Sequence, residues 1–108
     1  MNEAQEIMGG FVYSLAKPIQ AHGEQVSELT LRRPTPAEAK KIGRMPYVIA
    51  DTNTGAYTPD LSMVDAYISV CAGIPPSAVA QMDLSDLNNL AWAVCRFFTT
   101  PESSVSSN

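Results

Sequence analysis

From Phe11 onward the chain alternates. Phe11, Tyr13 and Leu15 fall on one side of an extended segment, with Val12, Ser14 and Ala16 on the other, and this period of two predicts a strand. Pro18 has no backbone donor and suits an edge strand or a strand end. Ala21-His22-Gly23-Glu24 reads as a turn, and Val26, Leu29 and Leu31 mark a second strand. Val26 and Leu29 differ in parity, so a bulge near Ser27-Glu28 is needed to bring them to one face. Together the two runs predict an antiparallel hairpin over about residues 11–33.

At Thr35 the period changes. Thr35-Pro36-Ala37-Glu38 has the capping-box spacing with proline at the first helical position, which predicts a helix from Pro36 to Ile42 that stops at Gly43. Residues 47–50 fit either a short strand or a buried turn, and residues 51–55 have loop composition. Thr58-Pro59 reads as the start of the next helix. Leu61, Val64, Ile68 and Cys71 recur three or four apart on one face of it, and Gly73 closes it. After Ile74-Pro75-Pro76-Ser77, a helix of one or two turns is expected through Val79 and Met82. Asp83 is a candidate cap, with Asp86 placed as a second helix-start residue favourable to the dipole. Leu84, Leu87, Leu90, Ala91, Val94 and Phe97-Phe98 form the longest amphipathic stripe in the chain. The resulting expectation is a small single α+β domain over residues 11–99, an N-terminal antiparallel β-hairpin packed against three to four α-helices. Residues 1–10 read as a flexible leader, and residues 100–108 as a disordered Ser-rich tail.

With 108 residues, 45% of them hydrophobic, the chain has the size and apolar content of one modest core. Its net charge of −4 opposes nucleic-acid binding. Six of the seven basic residues (Lys17, Arg32, Arg33, Lys40, Lys41, Arg44) nevertheless lie in the first 44 positions, where a solvated surface is the simpler reading. Cys71 and Cys95 lie in apolar helical patterns without metal or redox spacing, so both are expected as reduced core thiols of a cytoplasmic protein. No run of 18 apolar residues is present, so no membrane span is expected.

Little in the sequence points to catalysis. His22, the single histidine, sits in a predicted turn with no nucleophile assigned to it, and no ligand set for a metal is apparent. There is no Gly-rich phosphate loop, and Gly9-Gly10 precede a strand, the wrong order for a dinucleotide site. No cofactor and no enzymatic activity are therefore expected. Arg32-Arg33 is read as the end of a strand, with the two side chains pointing to opposite faces and one of them solvated.

The last helix carries the candidate interaction surface. At 100° per residue, Trp92 lies about 140° from Leu87 and about 160° from Val94, so one face cannot bury them all. If Leu87, Leu90, Val94 and Phe97 face the domain's own core, an edge centred on Trp92, Cys95 and Phe98 is left for a partner or a sister subunit.

The order of parts is distinctive. It runs Lys17-Pro18-Ile19, Gly23, Val26, Leu29, Leu31-Arg32, Pro34-Thr35 and Glu38. After a middle helix come Cys71-Ala72-Gly73-Ile74-Pro75-Pro76, then Val79, Met82 and the segment from Asp83-Leu84-Ser85-Asp86-Leu87 to Phe97-Phe98. Over about residues 15–98 this resembles the small tail assembly chaperones of long-tailed phages, the E/41/14 family of contractile-tailed phages and Mu-like prophages. The material from Tyr47 to Tyr57 departs from that pattern.

The resemblance implies a non-enzymatic protein that coats the tape measure protein and keeps it soluble until the tail tube polymerises. It implies action in the cytoplasm of the bacterial host and absence from the mature virion. It also implies a second, longer form made by frameshifting as a possible partner, and the apolar helix surface leads us to expect a homo-oligomer. Two readings from other classes stay open here. One is a structural or tail completion subunit retained in the particle. The other is a small helical DNA-binding regulator, opposed by the charge of residues 59–98, where Arg96 stands against Asp60, Asp65, Asp83 and Asp86.

Overall fold

The structure, a computed structural model, describes residues 5–7 and 10–101. The expected leader residues 1–4 and 8–9, and residues 102–108 of the expected tail, lie outside the described residues. Strand β1 (Gln5–Ile7) pairs antiparallel with β2 (Gly10–Ala21), which pairs antiparallel with β3 (Glu24–Leu31), giving a sheet of order β1-β2-β3. Residues 5–7, placed in the leader on polarity, are therefore a strand. Helix α1 (Pro36–Ile42) follows, then a second antiparallel hairpin of β4 (Tyr47–Asp51) and β5 (Ala56–Pro59). Helices α2 (Leu61–Ala72), α3 (Pro76–Val79) and α4 (Leu84–Thr99) complete the α+β domain.

The odd-numbered side chains of β2 and β3 build the sheet's share of the core: Phe11, Tyr13, Leu15, Ile19, Leu29 and Leu31 are all buried. They pack with Val64, Tyr67, Ile68 and Cys71 of α2 and with Leu90, Ala91 and Val94 of α4. The expected irregularity is present, but its extra residues are in β2. Ser14 pairs with Glu28 and the next pair is Ile19 with Val26, so residues 15–18 face Ser27 alone. Pro18 sits in this bulge, where its missing donor costs no ladder hydrogen bond.

Past Val12, the last residue of β2 described as pairing with β1, β2 also hydrogen-bonds to side chains. Gln81 works like a short piece of strand: its Oε1 accepts from Gln20 N at 2.8 Å and its Nε2 donates to Gln20 O at 3.0 Å. The carboxylate of Asp86 accepts from the bulge itself. Side chains thus occupy backbone groups that an open sheet edge would leave free.

The helix starts follow local chemistry. Thr35 and Glu38 close the capping box, and Gly43 ends α1 with φ 90. Asp60 caps α2 through Ser62 N, which corrects the reading of Thr58-Pro59 as the helix start. Pro59 is instead the last residue of β5, so residues 47–50 belong to a hairpin and not to a buried turn.

Arg32 forks onto Glu38 at 2.8 and 2.7 Å, tying the end of β3 to α1. Arg33 turns the other way and donates to Phe97 O at 2.6 Å and Thr100 O at 2.7 Å, satisfying carbonyls at the end of α4. The Arg32 guanidinium, with the Thr35 amide, pulls the Glu38 carboxyl down to about 2 from 4.5. A lowered folded-state value means that the contribution is complete above the ordinary glutamate range and is lost as pH falls through about 2. Amide exchange in α1 is therefore expected to quicken, relative to the rest of the domain, as pH drops from 4.5 to 2. Glu38→Gln should flatten that dependence. The pair is exposed, so added salt should shrink the effect.

Candidate functional site

Helix α4 is covered on more of its circumference than a single stripe. Leu90, Ala91 and Val94 are fully buried as expected, and Ala93 and Cys95 are buried as well. Leu87 and Phe97 are only partly buried. The added cover comes from the chain around β4. Pro46, fully buried, offers its carbonyl to the Cys95 thiol at 3.6 Å. Cys95 is 0% exposed, so its expected place on a partner-facing edge is corrected: the hairpin seals it into the core.

Burial pushes the Cys95 thiol up to about 11 and the Cys71 thiol to about 12. Both are free, buried thiols, protonated and poorly nucleophilic near neutral pH.

Trp92 remains 38% exposed. The angular argument holds, and the ring finds a partner within the chain, packing against Tyr57 of β5 at 5.8 Å between centroids. Tyr57 in turn meets Tyr47 at 5.2 Å, Tyr47 meets Phe98 at 6.3 Å, and Phe98 meets Tyr67 at 5.2 Å. Five aromatic side chains thus form a continuous run from the outer side of α4, across the β4–β5 hairpin, to α2. Tyr57 stands opposite Ile49 in the ladder, so the two share a face, and Ile49 is 52% exposed. Val48, on the other face, is exposed too, as is Met45 just before β4. Phe98, between Tyr47 and Tyr67 in this run, is half-buried.

A residue assigned only to the helix start has a larger role. Asp83 does cap α4, accepting from Ser85 N at 3.0 Å. Asp86, however, is 1% exposed, and its carboxylate points into the β2 bulge. It accepts from Tyr13 Oη at 2.9 Å, from Ala16 N at 3.0 Å to both oxygens, and from Lys17 N at 3.2 Å. Asn89 Nδ2 donates to the same Tyr13 hydroxyl at 2.9 Å. A signal was available, because Asp86 lies about 40° from Leu90 on the helix, inside the apolar face. Asp86 anchors the sheet to α4 and has no access to a substrate.

The remaining candidates are structural. His22 adopts φ 54 in the β2–β3 turn, its Nε2 3.0 Å from Gly73 O. Among the described residues, no group of three or more His, Cys, Asp or Glu side chains is placed to hold a metal ion. No helix in them is long and apolar enough to cross a membrane. The surface does expose large apolar side chains, among them Met45, Val48, Ile49 and Trp92.

No curated protein and no solved structure matches the chain. Residues 12–99 match the family described as phage tail assembly chaperone proteins, E, or 41 or 14. The match runs from Val12 in β2 to the last residue of α4 and takes in β3, the second hairpin and every helix described above, while β1 lies before it. The chain belongs to the phage tail assembly chaperone family.

Proposed function

We propose that this chaperone binds the tape measure protein and keeps it soluble before the tail tube polymerises. It does so by surface burial, without catalysis, in the cytoplasm of the bacterial host, and it is left out of the finished particle. The observation that carries this reading is the exposed apolar surface around Trp92 and Ile49, beside the aromatic run that fixes Trp92 on Tyr57.

A long helical client offers repeated apolar stripes. Each contact gains about 25 cal/mol per Å² of apolar area removed from water, and many weak contacts along one client multiply the avidity. Without client, a second copy covers part of the same area, which favours a homo-oligomer.

Co-expression with the tape measure protein tests the reading. The wild-type chain is expected to hold the client in the soluble fraction and to copurify with it. Trp92→Ala should remain folded yet retain about tenfold less client, the scale of one interfacial tryptophan. A client that is equally insoluble with and without the chaperone would overturn the proposal. So would recovery of the chain, at stoichiometric level, from purified virions.

A further inference from the structure

A second surface lies beyond the aromatic run, where α1 meets the end of α4. Two hollows adjoin there, of about 680 and about 430 Å³, and both are lined by Ala39 and Phe98. Their apolar walls include Phe97 on one side and Met45 and Tyr67 on the other. The charged residues of the lining are Arg32, Arg33, Lys40 and Arg44. Among the described residues no aspartate or glutamate lines either hollow, although the chain carries 11 acidic residues against 7 basic ones. The charge of this groove is therefore opposite to that of the chain as a whole.

The four cations are not equivalent. Arg32 is engaged by Glu38, and Arg33 by the carbonyls at the end of α4 and the Phe97 ring, 5.5 Å from its guanidinium carbon. These two fix the wall. Lys40 and Arg44 form no salt bridge among the described residues, where Arg32–Glu38 is the one present. Arg44 has a long-range influence on Asp60, adding to the lowering of that carboxyl's pKa that the Ser62 hydroxyl causes first. Lys40 lies in the last turn of α1, where the helix dipole holds a cation. Neither is ion-paired among the described residues, and both stand at the edge of an apolar floor.

We propose that this groove seats an acidic amphipathic segment of a protein partner. Apolar side chains of that segment would rest on Ala39 and Phe98, and its carboxylates would face Lys40 and Arg44. The groove would thus accept a second kind of segment, chosen by charge, where the surface around Trp92 selects only for apolar area. Charge complementarity of this sort sets partner choice and encounter rate more than raw affinity.

The test uses the full chain and a labelled synthetic helical peptide with leucines on one face and glutamates on the other, read by fluorescence anisotropy. A lysine version of the peptide and a single-stranded DNA oligonucleotide serve as controls. The glutamate peptide should bind, and the two controls should bind at least about tenfold more weakly. Lys40→Glu with Arg44→Glu should weaken the glutamate peptide by about tenfold while remaining folded, with a melting temperature within about 8 °C of the wild type. Lys41→Glu, on the same helix but outside the lining, should change binding by less than about threefold. Trp92→Ala should leave the preference for the glutamate over the lysine peptide unchanged, since the surface around Trp92 takes either leucine face, so that the groove and the client surface stand or fall separately. Equal binding of both peptides, tighter binding of the DNA, or no effect of the double reversal would overturn the proposal. So would a dimer of the chain that the double reversal dissociates, since a second copy would then fill the groove.

Discussion

Replacing Asp86 with alanine is expected to destabilise the domain by about 3–5 kcal/mol, a large share of the about 5–15 kcal/mol available to a domain of this size. Its carboxylate is 1% exposed and takes hydrogen bonds from Tyr13 Oη and from the amides of Ala16 and Lys17. Those amides lie in a bulge that offers no ladder partner, so alanine leaves them unsatisfied beneath α4. Hydrogen bonds to a charged acceptor contribute about 1.5–3 kcal/mol each. The total stays below their sum because Ala16 and Lys17 are only part-buried there and Tyr13 keeps Asn89.

Asp86→Asn retains one acceptor oxygen and should lose about half as much. Tyr13→Phe removes one donor and should cost about 1–2 kcal/mol. Combined with Asp86→Ala it should cost less than the sum of the two, as expected for one network. Urea unfolding followed by tryptophan fluorescence measures all four. A midpoint for Asp86→Ala within about 0.5 kcal/mol of wild type would mean that the bulge is held by something else.

How much of this was legible in the sequence depended on whether the decisive interaction was local. The capping box at Thr35, the stop at Gly43 and the cap at Asp83 were readable because donor and acceptor lie within a few residues of each other. The hairpin from Phe11 to Leu31 was readable from alternation, and the parity break at Val26 announced an irregularity. Parity does not say which strand carries the extra residues, and the partner that stabilises them, Asp86, is about 70 positions away. Strand β1 escaped notice because Gln5-Glu6-Ile7 is short and polar, and its place depends on pairing with β2.

The candidate surface was half legible for the same reason. Helix geometry alone separates Trp92 from the stripe of Leu90 and Val94. It cannot show that the β4–β5 hairpin folds over α4, buries Cys95 under Pro46 and brings Tyr57 to Trp92. Nor did sequence spacing join Lys40 and Arg44 to Phe98. That grouping exists only because the end of α4 returns to α1, where Arg33 holds its carbonyls.

Leu90→Ala is the second change expected to have a large effect, and its comparison with Trp92→Ala separates core from surface. Leu90 is 0% exposed and belongs to the cluster that joins sheet, α2 and α4. Truncating it removes buried methyl groups and leaves a cavity between elements already anchored by Asp86 and Arg33, so the site has little freedom to collapse. The expected cost is about 2–5 kcal/mol, a fall in melting temperature of roughly 10–20 °C for a domain of this length. Trp92 is larger, yet more than a third of it already faces water, and its ring packs against Tyr57 of the hairpin. Losing that contact and the covered part of the indole should cost about 1–3 kcal/mol, less than Leu90→Ala because water can fill the space it leaves. Thermal melting of the two variants side by side decides the matter. If Trp92→Ala falls as far as Leu90→Ala, the indole is part of what holds the β4–β5 hairpin to α4. Its loss of client would then report a displaced hairpin and no longer a missing contact.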